Sequence, residues 1–437
     1  MKRGSGFRRK LLIPGIAICI ICLNAAQAQE KKEVDLEKIV VTPYRGENQI
    51  NNTSSSITVI SKQDIKDSNA KTVIDALRGV PGLSVRDFWG NATKASIDIR
   101  GFGEQGGMNI LVLVDGRRIN EVDLSAVDWT QIPLNQVERI EIVRGGDSVL
   151  YGDNATSGIV NIITKKGQGD LRIDSQAHYG SYDYNLEKIS ASGSKQKLSY
   201  WFNLSREGTH GYRNNSFFKT RDFVAKLGYD ITDDLSARFQ SGLHRATYGM
   251  PGALFQSQID AFSRRYSRFG DDRANDKDYY FVFGGKNKMG DMGEIDLDMS
   301  FRRRYVSTDF IGANAGWNPL LFSRIDTTGF TPKYRLETEF PKFSNIFLSG
   351  VDVYKYDYSA DTYNASNILQ DFSDINKLSL GGYIYDELNI FKNLYLSGGF
   401  RYEVQRYSFD YHDNAGFYPD VNSKNSPNEK AFEAGLN

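Results

Sequence analysis

From about Leu171 onward the chain alternates: apolar and polar side chains change places residue by residue, and no helical period survives. Leu394, Leu396, Phe400, Tyr402 and Val404 share one parity, and Tyr395, Ser397, Arg401, Glu403 and Gln405 share the other. Ile295, Leu297, Met299 and Phe301 interleave with Asp296, Asp298, Ser300 and Arg302, and Phe223, Ala225, Leu227, Tyr229 and Ile231 repeat the pattern. A period of two puts each set on its own face of a strand. A soluble sandwich alternates too, but these segments reach about ten residues and carry aromatics near their ends. That length and pattern suit a strand crossing a bilayer obliquely, with lipid outside and a polar lumen inside. Roughly eleven such strands can be counted, with Lys430 to Leu436 opening a twelfth. Asp230 to Asp234 and Phe391 to Asn393 read as short links at one end. Longer loops, 246–278 and 358–377, are expected at the other, extracellular end.

The N-terminus points to export. Lys2, Arg3, Arg8, Arg9 and Lys10 precede the apolar run Leu11 to Leu23, and Ala26-Gln27-Ala28 follows as a small-x-small cleavage pattern. The run is shorter than the roughly 20 residues that span a bilayer. Residues 1–28 are therefore read as a cleaved signal peptide. Both cysteines, Cys19 and Cys22, fall inside it, so the mature chain has neither disulfides nor thiol chemistry. The whole chain has zero formal net charge, and removing five cations leaves −5. A mildly acidic chain excludes a nucleic-acid partner.

Residues 29–50 form a polar arm holding one β-branched run, Ile39-Val40-Val41-Thr42-Pro43. A run like this is either an edge strand or a strand offered to a partner's sheet. Residues 51–167 read as a compact α/β unit. Ile57 to Ile60 is a strand. Ser61, with Asp64 three residues on, caps a short helix. Thr72 to Arg78 is a second helix with Val73, Ile74 and Leu77 on one face, stopped at Gly79 before the Pro81-Gly82 turn. Leu83 to Val85 and Ser96 to Arg100 are strands. Ile110 to Val114 is expected to be the central strand, turned back by Asp115-Gly116. Two β-branched runs, Ile140 to Val143 and Ile159 to Ile163, then flank a Gly-, Asp- and Ser-rich segment. Gly145-Gly146 permits a sharp turn there, Asp147 or Ser148 caps one helical turn, and Ala155, Ser157 and Gly158 leave room for another surface. The Gly-rich turn is no phosphate cradle, because no Gly-Lys-Ser/Thr follows.

Arg144-Gly145, Tyr151-Gly152, the small patch Ala155 to Gly158 and the strand Asn161-Ile162-Ile163-Thr164 closely resemble the end of the plug domain of TonB-dependent outer-membrane receptors. Val80-Pro81-Gly82, Ile99-Arg100-Gly101 and Val114-Asp115-Gly116 fall in that family's order and spacing. The resemblance implies an α+β plug domain (51–167) followed by an antiparallel transmembrane β-barrel (168–437). It also implies a barrel of about 22 strands, so this chain is expected to carry about half, as a truncated or partial sequence. The run Ile39, Val40, Val41, Thr42, Pro43 looks like the TonB box captured by a TonB-like energy-coupling protein. The expected function is active import of a bulky scarce nutrient, an iron–siderophore, haem or cobalamin, by a monomer in the bacterial outer membrane, with no enzyme activity. A passive plugged porin, or a non-functional fragment of such a receptor, is the alternative.

Three loops would lie at the plug apex by this resemblance. Their candidate ligand-binding residues are Asp87, Phe88, Trp89 and Asn91; Phe102, Glu104 and Gln105; and Asn120 and Asp123. Arg100 and Arg144 each end an apolar strand at a glycine and need a partner if buried. The resemblance makes them a plug–barrel latch, pairing with acids on strands beyond this chain. His178, His210, His244 and His412 lack metal-ligand spacing, and there is no HExxH or nucleophile elbow. No cofactor is expected. Asp271, Asp272, Asp276 and Asp278 cluster in the expected 246–278 loop, and several carboxylates together suit a hard cation such as Ca²⁺.

Overall fold

The computed structural model describes residues 39–40, 45, 48–49, 56–146, 148–312, 319–340, 343–391 and 394–436. The signal segment lies outside them, as do Val41, Thr42 and Pro43 of the arm. The plug is built on a five-stranded sheet in the order Ser56–Ser61, Val137–Arg144, Gly158–Thr164, Ile110–Val114, Arg117–Arg118. Ile110–Val114 runs parallel to Gly158–Thr164, and both are buried at every residue. Such strands read as unbroken apolar runs because both faces are covered. Gly158–Thr164 occupies the centre. The expectation for Ile110–Val114 is corrected: it lies one place out, beside the two-residue edge strand. Its five consecutive apolar residues report burial on both faces, which an off-centre strand shares once it is covered. Asp115 and Gly116 have φ +50° and +84°, as a two-residue type I′ turn requires.

Local capping explains the helices. Ser61 and Asp64 form a reciprocal capping box on Lys62–Asp67, and Thr72 and Asp75 form another on Val73–Arg78. The second helix buries Val73, Ile74, Ala76 and Leu77. They pack with Ile97, Ile99, Val112, Ile140, Ile142, Val160 and Trp129 in the main plug core. Trp129 Nε1 is satisfied inside that core, donating to the Ala95 carbonyl at 2.9 Å. Leu83–Asp87 and Ala95–Ile99 pair as a separate two-stranded sheet.

Fourteen strand segments follow, joined neighbour to neighbour and antiparallel, from Arg172–Gly180 to Asn428–Leu436. Leu320–Phe330 and Lys333–Glu339 share their neighbours on both sides, and Val421–Asn425 and Asn428–Leu436 both pair with Leu394–Asp413. The breaks fall at Pro332 and Pro427, which have no N–H for the ladder. Their carbonyls still accept from Val351 N and Gln405 N at 3.0 Å, so each pair is one interrupted stave. Counted as staves the wall has twelve, in line with the alternation. Among the described residues the first stave, Arg172–Gly180, pairs only with Tyr184–Lys195, so the sheet has a free edge.

Burial along the staves is inverted relative to a soluble sheet. Phe202 and Leu204 are 37% and 55% exposed, while Asn203 and Ser205 between and beside them are 2% and 9% exposed. Ile295, Leu297 and Met299 face out; Asp296, Arg302 and Arg304 are buried. The buried polar face is the one against which the plug packs. Short turns such as 231–234 and 289–293 alternate with longer connections such as 210–217 and 250–272. The two long loops expected from the sequence shrink. The strands Leu235–Gly249 and Arg273–Lys288 run into the first, leaving 250–272 with one short helix, Gln256–Ala261. Ser344–Tyr363 and Leu369–Phe391 reduce the second to 364–368.

Candidate functional site

The seam between plug and wall concentrates the buried charge. Arg45, in the arm, reaches the wall: its guanidinium donates to Asp352 Oδ1 and Oδ2 at 2.6 and 2.8 Å and lies 4.7 Å from the ring centres of both Tyr151 and Tyr383. Asp352 also accepts from Arg401 Nη1 at 2.8 Å, and Lys333 Nζ donates to the Arg45 carbonyl at 2.8 Å. Just before this anchor, Ile39–Val40 pairs antiparallel with Asn48–Gln49. The hook expected at Ile39 to Pro43 is thus tied to the wall a few residues later.

Three plug carboxylates also reach the wall. Asp115, in the type I′ turn, accepts from Thr164 N and Oγ1 at 2.9 and 2.7 Å and from Lys226 Nζ at 2.7 Å. Burial pushes its carboxyl up, but Lys226 and Thr164 outweigh burial and hold it below the usual range. Asp153 takes Arg118 on one side and Lys377 Nζ at 2.6 Å on the other, and the same contest resolves downward. Glu121 sits between Arg302 and Arg304 of one stave, with Arg302 Nη2 at 3.0 Å. Burial raises its carboxyl, and Arg302 and Arg304, with Lys94, bring it down to about 2. Those arginines are themselves held by Asp278, at 2.6 Å, and Asp276.

The segment around Ser148–Tyr151 meets the wall differently. Leu150, Tyr151, Ala155 and Ile159 form an apolar cluster with Leu348, Tyr383 and Tyr385. At Gly152, φ +76°, a Cβ would lie 2.7 Å from Glu403 Oε2 and 2.8 Å from Arg401 Nη2. Gly152 and Ala155 let the wall approach, whereas Ser157 and Gly158 pack inside the plug, against Asn109 and against Val143 and Ile99.

At the long-loop end, Asn91 Nδ2 donates to the Gly249 carbonyl at 3.1 Å, and Trp89 packs against Phe218, Tyr248, Met250 and Ala274. Asp87 accepts from Gly90 N at 2.8 Å and Ala92 N at 3.0 Å, which shapes the loop. Asn120 acts as a substitute strand neighbour, donating to the Ile110 carbonyl and accepting from Val112 N, at 2.9 and 2.8 Å. Phe88, Phe102 and Gln105 are exposed and Asp123 is half-buried, accepting from Ser125 N at 3.1 Å. The side chain of Glu104 lies outside the described residues.

A TonB-dependent Receptor Plug Domain model matches residues 49–159. The Vitamin B12 transporter BtuB of Vibrio vulnificus (strain CMCP6) is 31% identical over 282 residues, covering 64% of this chain and 41% of its own. The chain carries a TonB-dependent receptor plug domain. A Vibrio cholerae relative with the same name (strain ATCC 39541 / Classical Ogawa 395 / O395) is 36% identical over 193 residues, 44% of this chain and 30% of that one. The solved structure of the ferric citrate transporter FecA in the unliganded form has a TM-score of 0.75 at 18% identity, covering 89% of this chain and 60% of that chain. The ferric yersiniabactin uptake receptor FyuA from Yersinia pestis gives 0.73 at 17%, covering 88% and 62%. The chain spans less than half the length of the two vitamin B12 transporters it matches.

Within this fold one sequence expectation needs correction; the other, the latch of Arg100 and Arg144, concerns acids on strands beyond this chain. Arg144 donates to Thr58 Oγ1 at 2.6 Å and to the Pro81 carbonyl at 3.0 Å, both inside the plug. Arg100 is exposed, at φ +70°. Among the described residues neither pairs with a wall carboxylate, and the plug–wall ties present here run through Arg45, Asp115, Glu121 and Asp153. The expectation to correct is the acid cluster, which is dispersed. Asp276 and Asp278 belong to the strand Arg273–Lys288 and point at Arg304 and Arg302 of the neighbouring stave. Asp272 is buried and accepts from Gly312 N at 2.6 Å, and Asp271 is exposed. Among the described residues no group of three or more His, Cys, Asp or Glu is placed to hold a metal ion.

Proposed function

We propose that the chain belongs to an active outer-membrane importer driven by a TonB-like energy-coupling partner that grips Ile39 to Pro43. The observation that carries this reading is the Arg45–Asp352 clasp. A hook tied into the wall through a buried bidentate ion pair couples a pull on the arm to the plug–wall seam. Tyr151, whose ring also faces Arg45, sits in the plug's docking turn, so the same pull reaches the plug. A passive porin gives the arm no such task.

The cargo we favour is of the cobalamin class. The relatives matched by sequence carry the Vitamin B12 transporter name, and likeness at 31% identity weighs more than fold likeness at 18%. A ferric chelate is the second reading, supported by the structural neighbours. Phe88, Phe102, Gln105 and Asp123 remain the candidates for touching it, and Asp87, Trp89, Asn91 and Asn120 support their loops. Uptake of labelled cyanocobalamin and of a labelled ferric siderophore by receptor-deficient cells tests both readings. Deleting residues 39–43 should abolish whichever uptake the protein confers; uptake that survives the deletion overturns energised transport. Arg45→Ala should alter that uptake while the wall still folds.

A further inference from the structure

The outer face of the wall carries a row of unpaired cations. Arg206 lies directly opposite Arg221, Arg221 opposite Arg245, and Arg245 opposite Lys277, on four consecutive staves. All four side chains are exposed, and none stands in an ion pair among the described residues. Like charges directly opposite each other on one sheet face repel. The row ends at Tyr305 on one side and at Glu187 on the other. Lys219, exposed one step nearer the long loops, adds a further cation.

What lies beside the row gives it meaning. One step toward the short turns, the same four staves present Leu204, Phe223, Leu243 and Tyr279 in register. The next step down is Phe202, Ala225, Ser241 and Phe281. The cations therefore mark the edge of the apolar band, on its long-loop side, and lie on staves away from the free edge. An apolar band takes hydrocarbon, and a cationic row at its rim takes anions held at that depth. With strands about 4.8 Å apart, four cations span about 14 Å, longer than one phosphate and suited to a headgroup with more than one.

We propose that Arg206, Arg221, Arg245 and Lys277 form a docking surface for a multiply phosphorylated lipid headgroup in the leaflet at the long-loop end, its acyl chains lying on the apolar rows beneath. This inference rests on the transmembrane reading of the wall and is independent of what the protein carries.

The test uses the purified full chain in nonionic detergent, offered diphosphoryl lipid A or the same lipid with its phosphates removed. Lipid retained after washing is quantified by mass spectrometry. The wild-type protein should retain the phosphorylated lipid on the order of several hundredfold more strongly, each of the four cations contributing about fivefold. R206Q/R221Q/R245Q/K277Q should therefore approach the level of the dephosphorylated lipid. Equal retention of the two lipids by wild-type protein overturns the proposal without needing any variant to fold. So does full displacement by millimolar inorganic phosphate, which would mark a free-phosphate site. A charge-dependent dimer with no lipid preference would assign the row to a second copy of the chain and also overturn it.

Discussion

In the plug, Ile97, Ile99, Ile140 and Ile142 point inward and are almost inaccessible, and polar side chains face outward. In the wall, Phe202, Leu204, Ile295 and Met299 point outward, and the inaccessible side chains are Asn203, Asp296, Arg302 and Arg304. Both regions are read from apolar periodicity, yet the same residue types end on opposite sides. The difference lies in what stands beyond each surface. The plug hides its apolar side from water, whereas the wall offers its apolar side to hydrocarbon. The seam between them is consequently rich in charges, which stand beside the apolar cluster at Leu150 and Tyr151. Ion pairs can exchange partners with water where apolar contacts cannot, so this boundary is suited to opening.

The sharpest way to break the comparison is Arg304→Ala. If the wall's buried charge holds the plug, the loss strands Asp276 without a counter-ion, leaves Glu121 with Arg302 alone, and should cost about 3–5 kcal/mol. Urea unfolding of the full chain in detergent measures it, and a change below about 1 kcal/mol would mean the seam is wetter than the geometry implies.

Acid sharpens it next. Burial pushes the Glu121 carboxyl up, and Arg302 and Arg304 carry it from 4.5 down to about 2. A carboxyl lowered on folding stabilises fully above its unfolded value and loses that contribution as pH falls through the folded one. Stability should therefore drop between about pH 4.5 and pH 2, by about 3 kcal/mol from this group. Melting curves across that window should show a smaller drop in Glu121→Gln, since Asp115 and Asp153 still titrate there.

The smallest expected effect probes the lipid side. Phe202→Arg puts a charge among outward apolar side chains and should cost about 2 kcal/mol in a bilayer. In detergent the cost should shrink, because the head is more easily hydrated. Equal cost in both would argue that Phe202 does not face hydrocarbon.

Much of the fold was legible from local chemistry. The capping pairs Ser61/Asp64 and Thr72/Asp75 act over three residues, and the type I′ turn at Asp115-Gly116 needs only two. The alternation located the staves because lipid imposes an apolar side chain at every second position. It failed where lipid ends. Beyond Tyr279 the outward residues of that stave are Lys277, Asn275 and Arg273, so Asp276 and Asp278 read as loop acids although the strand continues. The site was less legible. Arg45 and Asp352 are 307 residues apart, and Glu121 and Arg302 are 181 apart, separations at which pattern carries no pairing information. A cation beside the β-branched run was visible, but its partner was not. Asp87 and Asn120 were singled out as polar loop residues, and they are polar for the backbone's sake.

Gly152 shows how little slack the assembly has. Glu403 and Arg401, which stand where its missing methyl would be, are pinned in turn by Ser379, Gln405 and Asp352. A single added carbon would act there as a wedge, lifting the docking turn without altering any charge. The tolerance between plug and wall at this point is thus set by one hydrogen atom.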